Sequence, residues 1–534
     1  MKIIKVKING FKNLNQFEIE LDSKAIHTVL IGQNAAGKSN FLEALVIIFK
    51  NLDLGQKRSI PCDFDFDITY KCKGGIVQVV GNKSKIAEED STEEREPNLK
   101  AGYEYFVDGI KTPKAVFYRN KDSYLPRYVF SYYSGVSNRL IEHFDIHQKQ
   151  FRDELLKGNE KPLRPLFYAR LIHSHFVLLA FFGFGEQNID SFLKEYLGIS
   201  GLESILFVLK KPNWPGDKKN GDPKFWYAKG VVKDFLNELW NASLAPIPYE
   251  ETIRLDFDKN TKQEHLFIYI SNQEKLEAIA QKYLTNTNFF KMLESTYLSD
   301  LIHEVRVKVT KDNVKGNVTF KELSEGEQQL LTVLGLIRFT KEDDSLFLLD
   351  EPDTHLNPLW KWKYMSLLEK IVAKDDNSQI IMTTHDPLVI GGLTKEEIRI
   401  FHTIGDDKII HADEPEFDPR GLGVAGILTS DLFELPSTLD KETLELINKR
   451  NLLIAKQDTA ELSDDEKISL NEIFQILGDL GINTTDRDPL YEKFLIEMSK
   501  TDNFKIEKMT SEEIEEQNKV AKQIMDKLLK RDIE

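Results

Sequence analysis

The chain has 534 residues, and its 71 Lys and Arg against 87 Asp and Glu leave a formal charge of −16. With 41% hydrophobic and 30% charged residues, it has the make-up of a globular protein with more than one core, since domains run ~100–200 residues. Collagen, global disorder and, with only Cys62 and Cys72, a disulfide scaffold or a four-thiolate zinc site are excluded. The acidic balance speaks against nucleic-acid binding over the whole surface, though not against a local basic groove.

The opening MKIIKVKING alternates charged and apolar residues, which predicts a strand rather than a secretory leader and points to the cytoplasm. FEIELD and HTVLIG follow as strands, and residues 38–49 read as a helix behind a glycine-rich loop. Strand, loop and helix make one unit of a parallel sheet. Residues 53–134 read as β-rich, with GGIVQVV, AGYEYFVDG and KAVFYRN broken by turn signals such as Asp108-Gly109. The charged stretch at 88–96 has no apolar face and reads as a solvated loop.

Residues 136–300 read as a mostly helical insertion without a sustained heptad. Its apolar run at 176–185 is too short for a membrane span of ~20 residues and predicts a buried element. Strand character returns in TIRLDF, HLFIYI, VRVKV and NVTF, and residues 324–390 alternate helix, strand (SLFLLDEP), helix and strand (QIIMTTH). Beyond Gly423 the chain is helical and charged, with capping boxes at Ser463/Glu466 and Thr510/Glu513. The expected divisions are 1–135, 136–300, 301–425 and 426–534.

Gly32-Gln33-Asn34-Ala35-Ala36-Gly37-Lys38-Ser39 fits G-x-x-x-x-G-K-[ST] between an apolar strand and a helix, with Asn40 next in that helix. Such a loop turns backbone N–H groups toward phosphate, and the helix N-terminus adds positive potential. Lys38 would reach the β- and γ-phosphates of ATP, and the Ser39 hydroxyl would ligate Mg²⁺. Leu346-Phe347-Leu348-Leu349-Asp350-Glu351 is an apolar strand ending in two carboxylates, the edge where α/β sheets place ligands. Asp350 would hold Mg²⁺ and Glu351 would polarise the attacking water.

Leu323-Ser324-Glu325-Gly326-Glu327-Gln328-Gln329 resembles the LSGGQ signature of ABC-type ATPases, with Glu325 in place of the first glycine. Asp353-Thr354-His355-Leu356-Asn357 resembles their D-loop, and Thr384-His385-Asp386 their switch histidine. The chain thus resembles an ABC-type ATPase of the RecF/SMC/OLD-like branch. The resemblance implies an α/β P-loop ATPase head with an antiparallel β subdomain, a helical insertion and a helical tail. It also implies a homodimer or higher homo-oligomer closing around ATP. Ser324 and Gly326 would meet the γ-phosphate in trans, while His385 would sense it in cis. Phe11-Lys12-Asn13 resembles the GF[KR] element of RecF and SMC heads, whose basic residue, here Lys12, approaches the nucleotide. The family's Q-loop glutamine has no counterpart; Ser131-Tyr132-Tyr133-Ser134-Gly135 stands about where it belongs.

No nuclease pattern is visible: Gly405-Asp406-Asp407 makes no Toprim set, and the last histidine is His411. Residues 427–440 and 487–495 resemble the tail of the ATPase subunit of Septu antiphage systems (PtuA), which also accompanies some retrons. That implies an HNH nuclease partner and, in a retron, a reverse transcriptase with its nucleic acid. Leu432, Phe433 and Leu435, then Tyr491, Phe494 and Leu495, place apolar side chains at helix-like spacing and are expected to dock a partner. A RecF-like repair ATPase acting on DNA is the alternative, and a transporter ATPase a second one. Seven lysines between Lys210 and Lys233 stand among Trp214, Phe225, Trp226 and Tyr227. They read as a solvated loop anchored by its tryptophans, with a nucleic-acid groove as the alternative.

Overall fold

The computed structural model describes residues 1–56, 60–83, 102–135, 137, 139–159, 165–185, 187–256, 259–312, 317–319, 323–340, 344–371, 377–404, 409–457, 461–480, 494, 498, 501 and 511–531. It divides into two compact units, Met1–Glu414 and Pro415–Glu534, so the tail unit begins before the expected 425/426 division.

The first unit is built on a seven-stranded sheet. Its order is Ile409–Asp413, Ile398–Ile404, His27–Gly32, Gln379–Thr383, Leu346–Asp350, Val129–Tyr133 and Leu166–Tyr168. Ile409–Asp413 runs antiparallel to its neighbour and the other pairs are parallel. The two central strands LFLLD and QIIMT are buried at every position, because helices and a second sheet cover both faces. Their register sets Asp350 beside Thr383 at the C-terminal edge of the sheet.

The helix Lys38–Leu54 starts at that same edge. It is buried almost all round, as a helix hydrophobic on every face must be. Its apolar side chains share one core with Leu30, Leu348 and Ile381 of the parallel sheet and with Ile3, Val6, Ile68 and Tyr70 of a six-stranded antiparallel sheet. The helix behind the phosphate loop is therefore held between two sheets.

Two expectations change. KAVFYRN forms the helix Lys114–Arg119, not a strand: Pro113 leads into it, and Phe117 and Tyr118 both pack on Tyr105, at ring distances of 4.4 and 5.9 Å. The stretch 136–300 is mixed rather than mostly helical. Beside the helices Asp145–Leu156, Ile172–Phe184, Gly230–Ala242, Gln273–Ala280 and Asn286–Leu298 it holds three long strands, Ile199–Lys210, Ile247–Asp256 and Lys259–Ile270. Ile302–Lys311 and Asn317–Thr319 complete their antiparallel sheet. The apolar run at 176–185 forms the end of the buried helix Ile172–Phe184 and its left-handed cap Gly185. That helix meets the helix Glu325–Thr340 closely: a Cβ on Gly335 would stand 2.1 Å from Val177 Cγ1.

The tail unit carries the helices Gly423–Thr429, Lys441–Gln457, Asp464–Asp479 and Ser511–Arg531, and the capping box of Ser463 and Glu466 forms. Leu432, Phe433 and Leu435 lie past the end of Gly423–Thr429 rather than on a helix, with Leu432 buried and Leu435 exposed. The stretch 88–96, Gly405-Asp406-Asp407, Tyr491, Leu495 and Thr510 lie outside the described residues. Among the described residues no helix is long and apolar enough to cross a membrane.

Candidate functional site

The phosphate loop needs its glycines. Gly32 has φ +139°, and a Cβ there would stand 2.1 Å from the Phe401 carbonyl oxygen. Gly37, at φ +92°, is the left-handed cap from which the helix Lys38–Leu54 springs. Asn13 Nδ2 donates to the Ala35 carbonyl (2.9 Å), and Asn40 Nδ2 donates to Asn13 Oδ1 (2.6 Å), lacing the loop to the first hairpin. Lys38 is buried, and its Nζ donates to the carbonyls of Gly32 (2.8 Å) and Gln33 (3.0 Å). Burial pushes its pKa down to about 8, against the attraction of the Glu351 and Asp350 carboxylates.

Asp350, 2% exposed, accepts from Ser39 Oγ (3.0 Å) and Thr383 Oγ1 (2.6 Å) on one oxygen, Oδ1. Burial raises its pKa, and those two hydrogen bonds oppose the rise. A hydroxyl and a carboxylate this close fit Mg²⁺, which binds hard oxygens and completes its shell with water and phosphate. Glu351 follows in the left-handed region at φ +49°, its N–H donating to Thr383 Oγ1 (2.9 Å). That backbone turns its carboxylate out of the strand to a half-exposed position, 3.6 Å from His385 Nε2. Burial and the nearby Lys38 lower the His385 pKa, against the attraction of Asp350, and favour a neutral ring.

The D-loop is pinned from beneath: Thr384 Oγ1 donates to buried Asp353 (2.8 Å), whose pKa burial pushes up to about 6. Lys361 pairs with Asp386 (2.7 Å) beside it. Ser324 and Glu327 form a capping box, with Ser324 N and Oγ both donating to Glu327 Oε2 at 2.8 and 3.0 Å. Gly326 sits against the D-loop, where a Cβ would stand 2.5 Å from the His355 carbonyl oxygen.

The structure thus brings Lys38, Ser39, Asp350, Glu351 and His385 together. Among the described residues, no hydrogen bond joins Ser324 or Gly326 to that cluster. Lys12 Nζ lies 2.6 Å from Glu43 on the phosphate-loop helix, committed to that carboxylate. Arg139 (2.7 and 3.0 Å) and His143 (3.3 Å) share Glu43. Against the upward push of burial, hydrogen bonds from His143, Lys12 and Arg139 hold its pKa at about 2. Sequence reasoning missed Thr383 and Arg139, and gave Asn13 no role of its own. Thr383 had a signal in its place at the end of an apolar strand beside Asp350, whereas Arg139 had none. At the Q-loop position, Ser134 N donates to the Asp350 carbonyl (3.2 Å) and Ser134 Oγ meets Thr354 Oγ1 (3.2 Å).

In the 210–233 stretch Trp214 and Trp226 donate to the Ser299 carbonyl (2.7 Å) and Glu264 (3.0 Å). Lys210, Lys211 and Lys229 pair with Asp300, Glu264 and Asp217. This is the anchored loop, with these lysines partnered by acids.

A phosphate loop under a central parallel strand, an acidic strand end two places along the sheet, and a signature helix seated on a D-loop define an ABC-type P-loop ATPase. The chain has the fold and motifs of such an ATPase and is similar to the ATPases of Septu and retron systems. Residues 1–164 match the family model of an AAA ATPase domain. Residues 208–391 match that of an AAA domain whose description names the AbiEii toxin and a Type IV TA system. "Septu protein PtuA" of Bacillus mycoides is 25% identical over 201 residues, 35% of this chain and 27% of that protein. "Retron Vc95 probable ATPase" of Vibrio cholerae is 26% identical over 290 residues, 48% of this chain and 54% of that one. The matches therefore span about a quarter and about half of these relatives' lengths. An SMC head domain from Thermotoga maritima is 12% identical with a TM-score of 0.31, over 78% of this chain and 99% of its own.

Proposed function

We propose that this chain is the ATP switch of an antiphage defence complex of the Septu or retron kind. It dimerises around ATP, hydrolyses it, and so governs a nuclease of HNH type carried on another chain. In a retron the further partners are a reverse transcriptase and its nucleic acid. The observation that carries the reading is Asp350 Oδ1 shared by Ser39 and Thr383, with Glu351 and His385 alongside. The names of the similar proteins support the defence setting.

In this reading Ser39 and Asp350 hold Mg²⁺, which supplies charge neutralisation at the phosphates. Lys38 exchanges the Gly32 and Gln33 carbonyls for phosphate oxygens, a charge-assisted contact. Glu351 holds the attacking water, and neutral His385 donates toward the γ-phosphate. Ser324 and Gly326 of a second copy close the site at the N-terminus of the helix Glu325–Thr340.

The tail is the proposed docking surface for the nuclease. The test is truncation before Leu470, keeping residues 431–435. The shortened protein should bind ATP yet lose its partner in co-purification and lose phage protection in cells. Retention of both would refute tail docking. Mass spectrometry of the native complex that finds no nuclease would refute the defence reading itself.

A further inference from the structure

A second cavity, of about 650 Å³, lies in the first unit and shares no lining residue with the phosphate loop or the acidic strand end. Its size is that of a small-molecule site. One wall is a face of the helix Asp145–Leu156 that carries Gln148, Lys149 and Arg152. Arg170, Tyr297, Lys210 and Asp300 also line it.

Arg152, Arg170, Lys210 and Asp300 are half-buried, whereas Lys149, Asp145 and Asp153 are exposed to water. Lys210 is neutralised by Asp300 at 2.7 Å. The Arg170 guanidinium reaches only neutral oxygens, Gln148 Oε1 (3.2 Å) and the Tyr297 hydroxyl (3.4 Å). Among the described residues, no carboxylate lies within ion-pair distance of Lys149, Arg152 or Arg170. Arg152 Nε and Gln148 Nε2 are moreover buried donors without an acceptor. Buried donors are almost always satisfied, and two guanidinium groups without a counter-charge suit the oxygens of a phosphate.

We infer that this cavity is a second ligand site, taking a phosphate-bearing small molecule of nucleotide size. Arg152 and Arg170 clasp the phosphate, Lys149 adds charge at the mouth, and Tyr297 offers an aromatic surface for the rest of the ligand. The opposite face of the same helix carries His147, whose Nε2 lies 2.8 Å from Asp53 on the phosphate-loop helix. That contact is at the far end of the phosphate-loop helix, about 22 Å along its axis from Lys38. The site itself does not depend on the defence reading, because binding is measured on the protein alone.

The experiment is calorimetric titration of full-length Lys38→Ala protein, whose phosphate loop is weakened, with AMP, ADP, inorganic phosphate and adenosine. AMP and ADP should bind at ~10–100 µM, a range ordinary for small ligands, while adenosine should bind at least tenfold more weakly. Adding Arg152→Gln with Arg170→Gln should weaken AMP and ADP at least tenfold. Lys149→Glu, at an exposed position that leaves the fold intact, should weaken them several-fold. Failure of all the phosphorylated probes to bind, adenosine binding as tightly as AMP, or indifference to Lys149→Glu would each overturn the assignment.

Discussion

The two halves of the proposed ATP site differ in how they are held. At the phosphate loop and the acidic strand end, Lys38 and Asp350 are buried and satisfied by the fold: Lys38 by loop carbonyls, Asp350 by Ser39 and Thr383. The signature is a helix N-terminus at the surface, satisfied by its own Glu327 and seated on the D-loop through Gly326. One half is preorganised by the buried core, and the other is capped by a carboxylate of its own helix at the surface. In the proposed dimer that surface cap is the part that would meet the second copy, so nucleotide binding and closure would be separable events.

The largest expected effect breaks the preorganised half. Glu351→Gln should bind ATP but hydrolyse it ~10²–10⁴-fold more slowly in a phosphate-release assay, the usual cost of losing a general base. Lys38→Ala should weaken ATP binding by ~10–100-fold in titration, because it removes charge-assisted contacts.

Proton linkage sharpens the same half. The folded pKa of Lys38, about 8, lies below its ordinary 10.5. The unfolded chain therefore holds more protons between these values, and this group's contribution to stability rises with pH from 8 to 10.5. ATP affinity runs the other way, since the loop loses its cation above pH 8. It should fall up to about tenfold between pH 7 and 9, as titrations at the two pH values would read directly.

The signature half is tested by complementation. An equal mixture of Lys38→Ala and Ser324→Arg subunits should regain about a quarter of wild-type hydrolysis, with half the dimers mixed and one intact site in each. No recovery in mixtures shown to contain heterodimers would argue against closure in trans. The smallest effect is Glu327→Gln, which weakens one capping box and should lower stability by about 0.5–1 kcal/mol in thermal unfolding.

Much of the fold was legible because its signals are local. An apolar strand, a glycine loop and a helix announced the phosphate site, and SLFLLDEP announced the strand that carries Asp350 and Glu351. KAVFYRN misled, because its apolar content suits either a strand or a short helix, and packing against Tyr105 decided between them. Lys12 shows a different limit: a motif places a residue on the chain but not its charge partner, which is Glu43.

The sequence by itself determined the loop, the carboxylates, the signature and their order, since each is a run of adjacent residues whose chemistry depends on spacing along the chain. Only the tertiary structure decided that Thr383 shares Asp350 with Ser39, that Arg139 reaches Glu43, and that arginines from separate segments meet over a second cavity. Those pairs are distant in the chain and join through sheet register and helix packing. The physical reason is that burial, not spacing, chooses the partner of a charge: a buried carboxylate or guanidinium must find its counterpart wherever the fold brings one.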